Sequence, residues 1–454
     1  MVSDPSAPPA PTRQLTLFDS TCLIVGIIVG AGVYQMAPDI AKGGATWWGA
    51  LGLWVLGGLL SLCGAAGYAE LGAAYPHAGG DYVYLSRAYG KWAGFLFGWL
   101  QLAIVRPGDI VVMAFAFATY ARTIYEPHLG ASWFTPQQAY AAAAVIALTA
   151  VNVAGVRQGK WTQNLLTTVK ALGMVAIAVV ALAAPVGMGE AVEIEPLPTS
   201  VALILVLFCF GGWNEVAYVA AELKDPGRNV LRALVAGIAA TTLLYVALNG
   251  AFLFSLGYQG VAGSEAVAVD AMSGAFPEIG GRLIAALVCI SALGAVSGLV
   301  FTGARISYAV GADHRLFRGL GSWSARAEAP VRALLVQAAI AVALIALLDD
   351  FVETILYTAP AVYSFYLATT LAVIVLRRRD PAAPRPYRVT AYPLPTLLFA
   401  AVCGYLIFSS VSYAANVLGK LWIVLIPAGV MVVGLVLYLA TSATAAEPRD
   451  VGAS

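Results

Sequence analysis

Charged residues are scarce in this chain, and their scarcity excludes most classes of soluble protein. Only 11% of the 454 residues are Asp, Glu, Lys or Arg, whereas about a quarter are charged in a typical soluble domain. The formal net charge is +1, so no imbalance of charge points to nucleic acid or to an acidic partner. Hydrophobic residues make up 60% of the chain, and the mean hydropathy is +0.83. This composition predicts a membrane protein.

Cysteine and histidine are also few. The five cysteines lie singly within apolar runs, and their odd number excludes a framework in which every cysteine is paired. We interpret them as small buried hydrophobic residues. The three histidines lie at positions 77, 128 and 314, too far apart in the chain to suggest a metal site. Because the sequence shows no nucleophile–base pair either, we expect no cofactor, no metal and no enzymatic activity.

Long apolar runs are what the chain has in abundance. A helix needs about 20 apolar residues to cross a bilayer, and about twelve runs meet that requirement. They cover roughly residues 17–40, 45–74, 92–121, 136–154, 162–184, 199–222, 230–256, 281–310, 331–348, 354–376, 393–412 and 420–441. The sequence therefore predicts an all-α membrane protein with about 12 transmembrane helices embedded in the lipid bilayer.

The basic residues fall mainly on one side of these helices. With the N-terminus placed inside, about 19 of the 25 Lys and Arg residues lie in cytoplasmic segments. Such an excess of basic residues marks the cytoplasmic side, so both termini are expected in the cytoplasm. We interpret residues 1–14 and 442–454 as polar cytoplasmic tails. The first of these tails lacks the basic start and cleavage site of a signal peptide.

The apolar runs repeat at long range within one transmembrane domain, residues 15–441. The first five runs, 17–184, match the next five, 199–376, with an offset of roughly 180–190 residues. Five helices are an odd number, so the second set must enter the membrane from the opposite side. This arrangement predicts a 5+5 inverted repeat, a LeuT-like fold, with two helices appended at 393–441.

Glycine clusters interrupt the first helix of each repeat. Residues 25–34 read Val-Gly-Ile-Ile-Val-Gly-Ala-Gly-Val-Tyr, and residues 205–214 read Leu-Val-Leu-Phe-Cys-Phe-Gly-Gly-Trp-Asn. Glycine weakens a helix by about 1 kcal/mol relative to alanine. In lipid, non-helical backbone is tolerated only where protein or a polar cavity covers it. Two such breaks in matching positions predict a binding site near the bilayer midplane.

The breaks supply backbone groups that suit an α-amino acid. Freed amides and the dipole of the outer half-helix attract a carboxylate, and freed carbonyls accept hydrogen bonds from an ammonium group. The candidate substrate-binding residues are Ile28, Val29, Gly30, Ala31, Gly32, Phe208, Phe210 and Gly211. We expect Phe208 to act as the gate over the substrate. The alternative is that the glycines only allow close helix packing, as the spacing of Gly26 and Gly30 permits.

Lys170 lies about 12 Å deep in the fifth run at 1.5 Å per residue. A charge at that depth is costly and is a functional-site hypothesis by default. An ammonium group beside the first break could replace a sodium ion. The alternative is a lysine whose amine reaches back to the cytoplasmic interface.

Other charges within the runs have less defined roles. Arg106 and Asp109 are three residues apart and can neutralise each other on one helix face. Pro107 between them is expected to kink the third helix. We expect Glu222 to be structural. Glu215 could face the substrate path or a basic partner, and both alternatives stay open.

Five stretches, taken in order, resemble one family of transporters. They are residues 30–33 (Gly-Ala-Gly-Val), 68–82 (beginning Tyr-Ala-Glu-Leu), 106–120 (beginning Arg-Pro), 208–229 (beginning Phe-Cys-Phe-Gly-Gly-Trp-Asn) and 301–305 (Phe-Thr-Gly-Ala-Arg). The family is that of the amino acid–polyamine–organocation transporters, and within it the L-type amino acid transporters. The resemblance covers nearly the whole membrane region.

The resemblance implies sodium-independent transport of amino acids, often by obligatory exchange. Carried over by position, Ile28, Ala31 and Gly32 would hold the charged groups of the substrate together with Phe208 and Gly211. Lys170 would match the lysine that substitutes for the sodium site in sodium-independent relatives.

Two departures from the family pattern limit what is carried over. Ala31 replaces the usual serine, so only backbone contacts remain at that position. Residues 122–136 contain no cysteine, whereas animal light chains of the family use one there to join a heavy chain. We therefore expect no disulfide-linked heavy chain and a location in the bacterial inner membrane, as for bacterial members.

The leading hypothesis is an exchanger of neutral L-amino acids. Alternatives are a proton-coupled symporter that uses Lys170, and a carrier of cationic amino acids or polyamines that uses Glu215 as counter-charge. From a different class, a membrane enzyme or a non-transporting sensor would require a catalytic cluster or a soluble output domain, and the sequence shows neither.

Overall fold

Helices form the framework of the protein. The computed structural model describes residues 12–126, 135–187, 194, 197–347, 351–416 and 422–443. These residues contain helices and two isolated bridges but no β-strand. The expected all-α architecture is therefore confirmed.

The helices are numbered in chain order. The first half contains α1 (Leu17–Ile28), α2 (Gly32–Gln35), α3 (Ala37–Gly44), α4 (Trp47–Ala74), α5 (Asp81–Tyr89), α6 (Lys91–Leu100), α7 (Arg106–Ile124), α8 (Pro136–Ala154) and α9 (Val156–Ala183). The second half contains α10 (Thr199–Cys209), α11 (Glu215–Tyr218), α12 (Pro226–Ala262), α13 (Val267–Met272), α14 (Gly280–Asp313), α15 (Val331–Leu347), α16 (Phe351–Arg379), α17 (Leu394–Asn416) and α18 (Trp422–Ala443).

Among the described residues, eight helical segments are long and apolar enough to cross a membrane, and they coincide with eight of the expected spans. A multi-pass membrane protein is thus confirmed. The other four expected spans contain shorter apolar helices at Leu17–Ile28, Thr199–Cys209, Val331–Leu347 and Ala428–Thr441. The first two of these are short because the chain leaves the helix at the glycine clusters.

The expected distortion near Pro107 takes the form of a π-helical turn. Residues Gln101–Val105 form this turn, and the amide of Arg106 donates to the carbonyl of Gln101, five residues back. Proline has no N–H and its ring crowds the preceding turn, so the helix widens there rather than ending. The turn joins α6 to α7 and shifts the face that α7 presents to the centre of the protein.

Helix α1 occupies the centre of the molecule. It begins with a capping box in which Thr16 accepts from the amide of Asp19 and Asp19 accepts from the amide of Thr16. It packs against α9, α12 and α14, and Ile24 is completely buried. The break at its end therefore lies in the interior of the protein.

Backbone hydrogen bonds join the segment before α1 to the segment that follows α11. The amide of Leu15 donates to Glu222 O at 2.9 Å, and the amide of Lys224 donates to Leu15 O at 2.9 Å. Glu222, expected to be structural, forms a buried ion pair with Arg305 of α14 at 2.7 Å. Removing one partner of such a buried pair typically costs about 3–5 kcal/mol, so this end of the site is rigidly anchored.

Candidate functional site

The two glycine clusters leave the helix and meet at one place. Helix α1 ends at Ile28 and α2 begins at Gly32, while α10 ends at Cys209 and α11 begins at Glu215. Gly212 has a φ of +102°, and a Cβ placed on it would lie 2.6 Å from Cγ2 of Ile27. Only glycine has both the conformational freedom and the small size that this approach requires. The second break therefore lies directly against the end of α1.

Tyr245 of α12 joins the two breaks. Its hydroxyl oxygen lies 3.1 Å from Ile28 O and 3.1 Å from Cys209 O, the carbonyls at which α1 and α10 end. A tyrosine has one hydroxyl proton, so it donates to the two carbonyls alternately or shares the proton between them. Its ring packs edge-on against Trp54 and Phe210, which fixes the direction of the hydroxyl.

The ammonium group of Lys170 is held at the first break. Its Nζ donates to Gly26 O at 2.8 Å, to Val29 O at 2.7 Å and to Ser291 O of α14 at 2.8 Å. These three acceptors use all three protons of the ammonium group. The side chain is completely buried, so it does not reach back to the interface. Lys170 links α9, α1 and α14 at the point where α1 stops being helical.

A cavity of about 180 Å³ lies between the breaks and the helices α7, α16 and α17. Five of the eight candidate substrate-binding residues line it. They are Ile28, Gly30, Gly32, Phe208 and Gly211. Phe208, the expected gate, is half-buried at the wall of this cavity.

The remaining three candidates lie outside the described lining of the cavity. The carbonyl of Val29 accepts from Lys170 and from the hydroxyl of Ser291 at 2.8 Å. The carbonyl of Ala31 accepts from the amides of Tyr34 and Gln35 and so starts α2. The ring of Phe210 is buried against Tyr245, with centroids 5.2 Å apart. These three residues stabilise the breaks without lining the cavity.

The amides of the first break are not all available to a ligand. The amide of Gly30 donates to Ile28 O at 2.9 Å, so it is already used within the turn. Among the described residues, no hydrogen-bond acceptor takes the amides of Ala31 and Gly32. Of the amides expected to bind a carboxylate at this break, only those at the start of α2 can still do so.

Arg106 pairs across the cavity rather than along its own helix. Nη1 and Nη2 both donate to Oε1 of Glu215 at 3.0 Å, and the hydroxyl of Thr302 donates to Oε2. Among the described residues, the ion pair of Arg106 is therefore with Glu215, while Asp109 remains a neighbouring charge on the same helix. The guanidinium extends from α7 to the first residue of α11, where a second helix brings a carboxylate that sequence spacing could not place. Glu215 meets both alternatives, because it binds the basic partner Arg106 and also lines the cavity.

Three hydroxyl groups donate hydrogen bonds to the buried carboxylate of Asp81. Asp81, the first residue of α5, accepts from Tyr68 at 2.5 Å, from Thr369 at 2.5 Å and from Tyr218 at 2.7 Å. Asn214 donates to the hydroxyl of Tyr218 at 2.9 Å. This network ties α5 to α4, α11 and α16, and so closes the cavity on that side.

Sequence reasoning missed several of these polar residues. Tyr245 and Ser291 lie singly in long apolar helices, where nothing but their polarity marks them. Asp81 follows two consecutive glycines with positive φ, Gly79 and Gly80, and this pair was the one local signal of an unusual turn. Their partners come from distant elements, so spacing along the chain could not reveal them.

Replacing Tyr245 by phenylalanine is expected to slow the function of this site without unfolding the protein. The ring contacts with Trp54 and Phe210 remain, and one hydrogen bond, worth about 0.5–1.5 kcal/mol, is lost. We expect a decrease of up to about tenfold in turnover, measured as solute flux in proteoliposomes, with a shift of only a few degrees in melting temperature. An unchanged flux would show that the two breaks do not depend on the bridging hydroxyl.

Comparison with known proteins places the chain among transport proteins. A family model described as an amino acid permease matches residues 15–438. "Large neutral amino acids transporter small subunit 2" of Mus musculus is 30% identical over 420 residues, which are 87% of this chain and 76% of that protein. "Asc-type amino acid transporter 1" of Mus musculus is 30% identical over 416 residues, 88% of this chain and 77% of that protein. "b(0,+)-type amino acid transporter 1" of Oryctolagus cuniculus is 28% identical over 397 residues, 83% of this chain and 78% of that protein.

Proposed function

This chain belongs to the amino acid permease family, and from that premise we propose that it carries neutral L-amino acids across a membrane by exchange. It is a transporter and not an enzyme. Relatives at about 30% identity over most of the chain carry names of neutral amino acid transporters. The proposal also agrees with the helical architecture and with the cavity between the two breaks.

The observation that carries the proposal is the meeting of two helix breaks at one cavity. Gly32 lines the cavity and its amide has no acceptor among the described residues, and this amide suits a carboxylate because a helix N-terminus attracts anions. The carbonyl of Cys209 at the end of α10 accepts from Tyr245 alone among the described residues, so its second lone pair suits an ammonium group. An α-amino acid carries both charged groups on one carbon, so one solute can engage both breaks while its side chain extends into the cavity beside Phe208.

Lys170 supports transport that does not depend on sodium. Its ammonium group already satisfies Gly26 O, Val29 O and Ser291 O, the kind of carbonyl oxygens at broken helices that coordinate a sodium ion in other transporters. Because a fixed ammonium group already supplies positive charge to these carbonyls, a sodium ion is not required there. We propose that Lys170 acts as the permanent substitute for a coupling cation.

The LeuT-like arrangement of twelve spans in a 5+5 inverted repeat is part of the proposal. Its support is that α1 and α10 begin about 180 residues apart and that each ends at a glycine break. Cytoplasmic termini and a bacterial inner membrane are proposed from the distribution of basic residues and from the resemblance. The absence of cysteine in residues 122–136 supports a chain that works without a disulfide-linked heavy chain.

Exchange by the protein purified alone tests these points together. Proteoliposomes loaded with an unlabelled neutral amino acid should take up labelled alanine, serine or leucine, and replacement of sodium by choline should leave the rate unchanged. Uptake into liposomes without internal amino acid, driven by a pH gradient, would instead indicate proton symport. Failure of every neutral amino acid to exchange would reject the proposal.

The cationic-substrate alternative, as it depends on Glu215, loses its support. Both terminal nitrogens of Arg106 donate to Glu215, and Thr302 donates to the second carboxylate oxygen. A carboxylate with these partners is already neutralised and has little capacity left for a positively charged substrate.

A further inference from the structure

The cavity contains a carboxylate that forms no hydrogen bond with the described residues. Among the described residues, three charged side chains line the cavity: Arg106, Glu215 and Asp109. Arg106 and Glu215 form an ion pair at 3.0 Å with each other. In the part of the chain that the structure describes, no hydrogen bond or ion pair engages Asp109, and its side chain is half-buried. The lining therefore has one more negative than positive charge.

The position of Asp109 brings it within reach of a ligand at the first break. Met113 also lines the cavity, and its Sδ lies 3.4 Å from where a Cβ on Gly30 would stand. Residues four apart share a face of a helix, and four residues rise about 6 Å along the axis. Asp109 thus faces the cavity one helical turn from the break, a distance comparable to the length of an amino acid side chain.

Among the described residues, no cation lies within ion-pair distance of Asp109. Arg106 is the nearest cation along α7, but both of its terminal nitrogens point to Glu215. A carboxylate in a largely apolar cavity is costly unless it receives hydrogen bonds. The hydroxyl of Thr302 is also directed to Glu215. The oxygens of Asp109 are therefore free to accept hydrogen bonds from a ligand in the cavity.

We propose that Asp109 binds the hydrogen-bond donor at the end of the substrate's side chain and so sets the specificity of the cavity. Neutral amino acids whose side chains end in a hydroxyl group are preferred over apolar amino acids of the same shape, and an amino acid that ends in an ammonium group competes with them for the same contact. The inference rests on the proposed function, since it assumes that the α-amino and α-carboxyl groups lie at the two breaks. It adds a contact to the substrate's side chain from α7, a helix that contains neither break.

The test compares isosteric pairs as competitors of labelled alanine exchange in proteoliposomes. Threonine is compared with valine, and ornithine with norleucine, because each pair differs mainly in one donor group. In the wild-type protein, the concentration that inhibits alanine exchange should be at least about tenfold lower for the member with the donor group than for its apolar partner. The reason is that hydrogen bonds to a charged group are stronger than those between neutral groups. Equal inhibition within both pairs would overturn the proposal without using any variant.

Variants then assign the preference to Asp109. In Asp109→Asn the advantage of ornithine over norleucine should fall about tenfold, because the amide carries no charge. Asp109→Glu should retain it. Asp39→Asn is the matched control, since Asp39 pairs with Lys42 at the protein surface, and it should keep both ratios at the wild-type values. Unchanged ratios in Asp109→Asn would overturn the assignment, and a loss of pH dependence with unchanged ratios would point to proton binding instead.

These outcomes are separable from failure of the proposed function. If the wild-type protein exchanges no amino acid, the proposed function itself is rejected. If it exchanges amino acids but does not distinguish the paired competitors, only the role of Asp109 is rejected.

Discussion

Replacing Lys170 by alanine should reduce amino acid exchange about 100-fold or more while the protein remains folded. The substitution removes the donor to Gly26 O, Val29 O and Ser291 O. Hydrogen bonds to charged groups contribute about 1.5–3 kcal/mol each, and a buried acceptor left without a donor costs a further amount. The first break would then lose the charge that fixes its carbonyls.

The magnitude follows from how much of this energy the working site requires. If only about 3 kcal/mol of it is needed to hold the break in its binding geometry, exchange falls about 100-fold, since 1.4 kcal/mol corresponds to a factor of ten. The hydrophobic contacts of α1 with α9, α12 and α14 remain, so the protein should still elute as a single species and show a cooperative melting transition.

The measurement is the initial rate of labelled amino acid exchange in proteoliposomes, with equal amounts of reconstituted protein. Lys42→Ala serves as the matched control, because Lys42 forms a surface ion pair with Asp39 and exposed pairs contribute little. Its exchange rate should equal that of the wild type. Exchange at the parent rate in Lys170→Ala would reject the role of this ammonium group.

Replacing Gly211 by valine should prevent substrate binding. Gly211 lines the cavity, and a Cβ at this position would stand 3.1 Å from Phe208 O, which is close for a carbon next to a backbone oxygen. The two methyl groups of valine then extend into the space that the substrate requires. The amide of Gly211 donates to Phe208 O at 2.9 Å, and this hydrogen bond fixes the backbone of the turn.

The expected result is the loss of the stabilisation that saturating substrate gives in a thermal-shift assay. A ligand present at 100 times its Kd stabilises a protein by about 2.7 kcal/mol, and this increment should disappear in Gly211→Val. The control is Gly52→Val, because a Cβ on Gly52 meets no atom within 4 Å. It should retain the wild-type shift. A normal shift in Gly211→Val would argue against the site.

The largest features of the fold could be predicted from composition and hydropathy. Eight helices lie where apolar runs predicted them, because in a membrane any spanning segment must satisfy its own backbone hydrogen bonds and a helix does this locally. The breaks in α1 and α10 could also be predicted, since glycine clusters weaken a helix irrespective of its surroundings. Both features depend on residues adjacent in the chain.

The partners of the buried charges could not be predicted. Arg106 and Asp109 have the spacing of a helical pair, yet Arg106 binds Glu215. Side chains that share a helix compete with those that a neighbouring helix presents, and packing decides between them. For the same reason Val29, Ala31 and Phe210, which belong to the right segments, lie behind the cavity whereas Asp109 lies within it.

The sequence by itself determined a helical membrane protein with two broken helices and a lysine deep in its fifth apolar run. The tertiary structure decided which groups meet at those breaks. Tyr245 joins the two, Lys170 holds three carbonyls, and Asp109 lies in the cavity with no hydrogen-bond partner among the described residues. The physical reason is that helix formation and helix breaking are local, whereas hydrogen bonding between buried polar groups depends on how α1, α7, α9, α12 and α14 pack.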